Sequence, residues 1–241
     1  MGRKMIDRTK RMMVSRAVII PRKEYFWGVT PRPGRHSRAE SVSVLTVLRD
    51  HLKIGDKERE ITRLLSSGKV TVDGRKVKSR RFALGFMDLL RVEGEATPYR
   101  MLYDKKGRLV LGKESPEGSA VKLLKVKGKH TVEGGKLQLV FHDGFNTIVD
   151  RKDIATGDVV VVKIPERTIT DVYKLAPGAK VFLTGGKHVG NIATVKTMEV
   201  KESSSENLIS FEEGYSTVVS YAFPIGGPRG YYHVPELEVY R

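Results

Sequence analysis

The chain has 241 residues, is 39% hydrophobic and 30% charged, and carries 44 Lys and Arg against 28 Asp and Glu, with no cysteine. The missing cysteine excludes disulfides, thiolate catalysis and cysteine-ligated zinc, and no apolar run approaches the roughly 20 residues of a membrane span. The formal net charge of +16 exceeds the roughly 2–8 charges that keep a small domain soluble, so it calls for a polyanionic partner, of which nucleic acid is the usual one.

The surplus is uneven. Residues 1–92 hold 23 Lys and Arg against 9 Asp and Glu, and residues 93–241 hold 21 against 19. The polyanion contact is therefore expected mainly in the first third. The start, "MGRKMIDRTKRMMVSRAVII", joins basic residues to an apolar patch without the small residues of a signal-peptide cleavage site. A soluble, cytoplasmic protein is expected.

Residues 1–40 are basic, irregular and marked by proline. In "FWGVTPRPGRHSRAE", Pro31 and Pro33 fix φ and push Thr30 and Arg32 out of the α region, while Gly34 permits a turn. Arg32, Arg35, His36 and Arg38 then project from an extended strap. With Arg8, Lys10, Arg11, Arg16, Arg22, Lys23 and Trp27 they make a basic N-terminal arm. The arm is expected to lie along a polyanion and to be dispensable for folding; a solvated linker is the other reading of such a segment.

Residues 41–92 read as a compact helix–helix–hairpin module. "SVSVLTVLRDHL" puts Val44, Leu45, Val47, Leu48 and Leu52 at helical spacing, with Ser41 or Ser43 as N-cap. "KEREITRLLSS" is a second helix, with Gly68 placed to cap it. Asp73-Gly74 within "KVTVDGRKV" is a strong hairpin signal, and "FMDLLRV" adds a strand. At about 100° per residue, Ile61, Leu64 and Leu65 share one helix face and Arg59 and Arg63 the opposite one. Lys69, Arg75, Lys76, Lys78, Arg80 and Arg81 extend that basic face around the hairpin.

Residues 93–170 read as a central β domain of short strands and glycine turns, beginning with the hairpin "YRMLYDKKGRLVL". Residues 171–241 read as a further β unit. There "KVFLT" places Val181 and Leu183 on one side and Phe182 on the other. "GGKHVG" connects to "NIATV", where Ile192 and Thr194 continue the alternation. Lys187 and His188 sit at the turn, and Gly190 serves a positive φ or a close backbone approach. The whole is an α+β, multidomain chain with small β barrels or sandwiches.

No catalytic pattern emerges. The histidines at 36, 51, 130, 142, 188 and 233 form no H-x-x-x-H or HExxH pair, and His142-Asp143-Gly144 reads as a turn. Gly185 and Gly190 have phosphate-loop separation, but Asn191-Ile192 follow where Lys and Ser/Thr are needed. No enzyme activity, cofactor, metal or small-molecule substrate is expected.

Three stretches carry a family resemblance. "EREITRLLSSGKVTVDGRKV" resembles a small RNA-binding domain shared by a bacterial-type ribosomal protein, some pseudouridine synthases and tyrosyl-tRNA synthetases, with Gly68, Val70, Val72 and Gly74 at the matching places. "KVFLTGGKHVGNIATV" resembles the KOW motif, with Gly190 as its fixed glycine. "FWGVTPRPGRHS", "MLYDKKGRLVL" and "GGKHVG" resemble the archaeal and eukaryotic small-subunit ribosomal protein family S4e, which the three stretches match in order over essentially the whole chain. An archaeal member is expected, without the longer C-terminal extension of eukaryotic ones. The resemblance implies a structural constituent of the small ribosomal subunit whose partners are small-subunit rRNA and neighbouring ribosomal proteins, with no membrane. It implies a C-terminal SH3-like barrel, structural roles for Gly68, Gly74 and Gly190, and RNA contacts by the basic residues named above. The rival classes are a KOW-type translation or transcription factor and an RNA-modifying enzyme. A pseudouridine synthase would need its Asp in an Arg-Leu-Asp context, which does not occur here.

Overall fold

The computed structural model describes residues 8–150, 153–202, 205–227, 230–235 and 237. The first seven residues of the expected arm lie outside the described residues. The architecture mixes short helices with many strands and is mostly β. Two compact units emerge, one of Met1–Leu102, Arg108–Pro116 and Pro235–Arg241, the other of Tyr103–Gly107 and Glu117–Val234.

In the first unit the N-terminal segment is not a free strap. Strand β1 (Arg8–Lys10) pairs antiparallel with β2 (Trp27–Val29). Arg11 is only 5% exposed; its Nη1 donates to the Pro21 carbonyl at 2.6 Å and its Nε to the Trp27 carbonyl at 3.1 Å. Arg22 donates to the carbonyls of Arg11, Val14 and Ser15. Val18 is buried, and the Leu109 amide donates to the Ala17 carbonyl. The segment is packed on the unit and is not a free-standing arm. Guanidinium groups satisfy carbonyls that an irregular segment would otherwise leave without partners, so it packs without a periodic apolar pattern.

The expected helix over 41–52 starts three residues late. Ser41–Ser43 form strand β3, paired with β6 (Ala83–Gly85). Ser43 then caps α1 (Val44–Thr46), accepting from the Thr46 amide. The chain winds on as a π turn over Val47–His51, with the Leu52 amide donating to the Val47 carbonyl. Val44, Leu45, Val47 and Leu48 are fully buried, each worth roughly 1.5–3 kcal/mol of burial. Helix α2 (Glu58–Ser66) follows, its first turn held by Glu60, which accepts from the amides of Asp56 and Lys57. Ile61 and Leu65 face the core.

After Gly68, strands β4 (Val70–Val72) and β5 (Arg75–Lys76) form a hairpin closed by Asp73 and Gly74 at φ 49° and 75°. Positive φ at both positions is the two-residue I′ turn that suits strand twist. The sheet order is β5-β4-β7-β8-β9, with β7 at Leu89–Val92, β8 at Tyr99–Tyr103 and β9 at Leu109–Lys113. One sheet therefore runs across the boundary expected at 92–93. The reason is the direct β7–β8 pairing, Leu89 opposite Arg100. Arg100, with no exposed surface, pairs through Nε with the buried Glu114 and donates from Nη1 to the Met87 carbonyl at 3.0 Å.

The second unit holds two five-stranded sheets. The first, ordered β12-β11-β10-β13-β14, comprises β10 (Val121–Thr131), β11 (Leu137–Phe141), β12 (Asn146–Val149), β13 (Val159–Lys163) and β14 (Thr168–Tyr173). Long β10 pairs with β13 along its first half and with β11 along its second, with a register shift between Val126 and Gly128. Such a bulge bends the strand, letting Leu124, Val126, Leu139, Phe141, Val160 and Val162 close one core. Strand β14 spans the boundary expected at 170–171, because Tyr173 pairs with Val159. His142-Asp143-Gly144 is the β11–β12 turn; its Asp143 pairs with buried Lys122 at 3.1 Å and accepts from the Phe145 amide.

The second sheet, ordered β18-β17-β16-β15-β19, comprises β15 (Lys180–Leu183), β16 (Ile192–Glu199), β17 (Leu208–Phe211), β18 (Ser216–Val218) and β19 (Ala222–Pro224). Val181 lies opposite Ala193, and both are buried. The inward set on β16 is therefore Ala193 and Val195, while Ile192 is 50% exposed. This reverses the expected alternation, and the cross-strand register is its cause. Lys125 ties the two sheets together, its Nζ donating to the carbonyls of Val219, Ser220 and Ala222 at 3.0, 2.8 and 2.6 Å. Burial, with repulsion from Lys127, lowers its pKa to about 8. It therefore keeps at neutral pH the three N–H donors that those carbonyls use.

Candidate nucleic-acid interface

In the first unit the basic residues around α2 and the hairpin stand clear of the core. Arg59 and Arg63 are exposed on the helix face opposite Ile61 and Leu65, and Lys69, Arg75, Lys76 and Lys78 are exposed around it. Strand β5 is a sheet edge, so Arg75 and Lys76 stand beside unpaired backbone. The Lys76 stem lies against Gly68, which has φ 76° and follows the last turn of α2. A cation there is favoured by the negative end of the helix dipole. Arg80 is half-exposed and pairs with Glu58, while Arg81 donates from Nε to the Thr30 carbonyl at 3.0 Å.

The basic residues of the N-terminal segment separate into two groups. Arg8, Lys10, Arg16, Lys23, Trp27, Arg32 and Arg38 are exposed. Arg38 reaches the Thr9 hydroxyl at 2.6 Å, and Arg32 donates its amide to the Arg81 carbonyl. Arg11, Arg22, Arg35 and His36, chosen from sequence as polyanion contacts, are instead engaged within the protein. Arg35 bridges the buried carboxylates of Asp73 and Asp88, and Asp88 also lies 2.9 Å from His36 Nε2. Asp73 in turn accepts from the Leu89 amide, and Asp88 from the Gly85 amide. The strap is thus latched to the hairpin turn and to the start of β7.

In the second unit Lys187 is exposed on the β15–β16 turn. His188 stacks on Tyr215, with ring centroids 4.1 Å apart and planes 13° from parallel. Gly190 has φ 79°, and a Cβ there would stand 2.8 Å from the carbonyl carbon of Asp104. A left-handed backbone and a close approach to another peptide both favour glycine there.

The sequence reading passed over Tyr25 and Phe26. They are 66% and 61% exposed beside Trp27 at 47%. Their signal lay in "RKEYFW", a cation pair running into three consecutive rings. His51 was also passed over. Its Nε2 lies 2.9 Å from the Ile19 carbonyl, and burial lowers its pKa below the ordinary 6.5. Among the described residues no group of three or more His, Asp or Glu could hold a metal ion. No helix among them is long and apolar enough to cross a membrane.

A basic, β-rich chain with exposed cations around a helix–hairpin face has the features of a polyanion-binding protein. Comparison with known proteins narrows the class. Residues 96–169 match the family model "Ribosomal family S4e". The chain is 50% identical over 236 residues to the small ribosomal subunit protein eS4 of Thermoplasma volcanium, covering 98% of this chain and 100% of that one. It is 52% identical over 232 residues to the protein of the same name from Picrophilus torridus, covering 96% and 98%. The crystal structure of the 30S ribosomal protein S4e from Thermoplasma acidophilum is similar, with a TM-score of 0.72 and 42% identity over 80% of this chain and 98% of that one. The chain belongs to the ribosomal S4e family.

Proposed function

We propose that this protein is a structural constituent of the archaeal small ribosomal subunit in the cytoplasm, binding rRNA and supporting translation without catalysing a reaction. The observation that carries the reading is the set of exposed cations around α2 and the β4–β5 hairpin, Arg59, Arg63, Lys69, Arg75, Lys76 and Lys78, on a chain of the S4e family. Phosphate neutralisation with counterion release supplies the affinity of such a face. Residues 41–92 are the core of the RNA-binding module. The β15–β19 sheet belongs to the KOW-containing SH3-like barrel, and Lys187 adds a contact at its turn. Gly68, Gly74 and Gly190 shape these surfaces. Neighbouring ribosomal proteins are the remaining partners.

The test is sedimentation of the tagged protein in cell extract, wild type against the double reversal Arg59→Glu, Arg63→Glu. Wild type is expected with small-subunit particles and the variant in the free fraction, both with the same thermal midpoint. Wild type remaining free of ribosomal particles would overturn the assignment.

A further inference from the structure

Tyr25, Phe26 and Trp27 are consecutive, and none is buried. Neighbouring Met12 and Met13 are 65% and 75% exposed. Surface apolar residues gathered this way mark a contact surface rather than a core. Cations lie over the Tyr25 and Phe26 rings, and an edge-to-face contact holds Trp27 against Phe26. Phe26 and Trp27 meet edge-to-face at 4.8 Å, the Arg11 guanidinium lies 4.8 Å from the Tyr25 ring, and Lys10 Nζ lies 5.2 Å from the Phe26 ring. The three rings border a groove of about 1030 Å³ in the first unit, which Ile20, Pro21 and Arg49 also line. Small-ligand sites run to roughly 300–1,000 Å³, so a nucleoside fits.

Charge at the rim decides the occupant. The exposed cations of this segment are Arg8, Lys10, Arg16 and Lys23 against one exposed acid, Glu24, whereas the groove itself is balanced, lined by Arg11, Arg49 and Lys53 against Glu24, Asp50 and Asp56. An apolar protein knob needs no such cation flank. Exposed rings beside cations are how single-stranded nucleic acid is held, phosphates on the cations and base faces on the rings. A base stacked between neighbours in a duplex offers no open face, so the base must be unstacked. We infer that the Tyr25-Phe26-Trp27 face stacks unpaired nucleobases of the bound RNA, with Lys10 and Lys23 on the adjoining phosphates. This inference rests on the RNA-binding reading above.

Trp27 is the chain's only tryptophan, so its fluorescence reports this face alone. The full-length protein is titrated with a short oligoadenylate and with an abasic oligonucleotide of the same length and charge. Oligoadenylate is expected to quench Trp27, and the abasic strand to bind without quenching. The double variant Tyr25→Leu, Phe26→Leu is expected to bind oligoadenylate about 5- to 150-fold more weakly, with abasic binding unchanged. Equal quenching by both strands, or unaltered affinity in a folded double variant, overturns the inference. Should the variant fold poorly, the wild-type comparison of the two strands decides alone. Small-subunit rRNA bound normally while oligoadenylate leaves Trp27 unquenched sinks the stacking and spares the RNA reading; failure of both sinks both. A double variant that binds every RNA normally yet fails to enter small-subunit particles assigns the face to a protein neighbour and overturns the inference.

Discussion

Nε2 of His36 lies 2.9 Å from Oδ2 of Asp88, a carboxylate with no exposed surface at the start of β7. The same carboxylate takes the Gly85 amide at 3.0 Å and one Arg35 nitrogen at 3.1 Å. A buried carboxylate is tolerated only when paired and hydrogen-bonded, and here the partners come from a segment 52 residues earlier. The arm and the module therefore stabilise each other.

Asp88→Ala removes the acceptor of all three donors. Breaking a buried ionic pair at one partner costs about 3–5 kcal/mol. A large drop in thermal midpoint is expected, with faster proteolysis of residues 8–40. Deleting residues 1–38 removes Arg35 and His36 together and leaves Asp73 and Asp88 buried without those partners; loss of the cooperative melt is expected. A truncated chain that melts at the wild-type temperature would refute the latch.

How far the sequence reaches is visible in these same residues. Asp73-Gly74 and Gly68 were legible because a turn and a helix end impose local backbone conformations that few residues supply. The latch was not legible, because it joins Arg35 and His36 to carboxylates 38 and 52 residues away through polar contacts that have no period. Counting apolar positions made the arm look free, yet Arg11 is buried by donating to carbonyls. The inward face of β16 was missed for a related reason. Ile192 outranks Ala193 in hydrophobicity, but pairing of Val181 with Ala193 fixes which face turns inward. Exposed candidates such as Arg59 and Arg63 were placed correctly on their helix face, since helical geometry settles that locally.

His51 supplies a pH dependence. Burial lowers its pKa below the ordinary 6.5, against smaller raising contributions from the Ile19 carbonyl and Asp50. The unfolded chain then binds the proton at higher pH than the folded one. The contribution of neutral His51 is complete above about pH 6.5 and is lost as pH falls through the folded value. The thermal midpoint is expected to decline below pH 6.5. His51→Gln, which keeps a donor for Ile19 but does not titrate, is expected to flatten that decline. An identical pH profile in the variant would reject the assignment.

Gly190 and Gly186 separate backbone strain from crowding. Both are left-handed, at φ 79° and 81°. An alanine methyl at 190 would sit 2.8 Å from the Asp104 carbonyl carbon and 2.9 Å from the Lys105 nitrogen, whereas at 186 the nearest atom is the Thr217 hydroxyl at 3.5 Å. Gly186→Ala is expected to cost about 1–2 kcal/mol from the left-handed conformation. Gly190→Ala adds an overpacking cost of about 1–3 kcal/mol, because the neighbour is backbone and cannot rotate aside. Thermal unfolding of the two full-length variants checks this, and equal losses would reject the close approach as the reason for glycine at 190.

Arg63 and Arg11 are both cations by sequence, and the structure gives them opposite roles. Arg63 is exposed on α2, so Arg63→Ala is expected to hold stability within about 0.5 kcal/mol. If Arg63 meets a phosphate, the variant loses affinity for small-subunit rRNA, and the slope of log affinity against log salt becomes shallower by roughly 0.7–0.9. Arg11 is 5% exposed and donates to the Pro21 and Trp27 carbonyls. Arg11→Ala leaves those carbonyls without their donor at about 1–3 kcal/mol. Its thermal midpoint falls, while the salt slope of the folded fraction keeps the wild-type value because no phosphate contact is removed. Filter binding across a salt series, paired with thermal melts, reads both quantities for each variant. A shallower slope for Arg11→Ala at unchanged stability would return Arg11 to the RNA-facing set. A stability loss for Arg63→Ala with the slope intact would remove Arg63 from it.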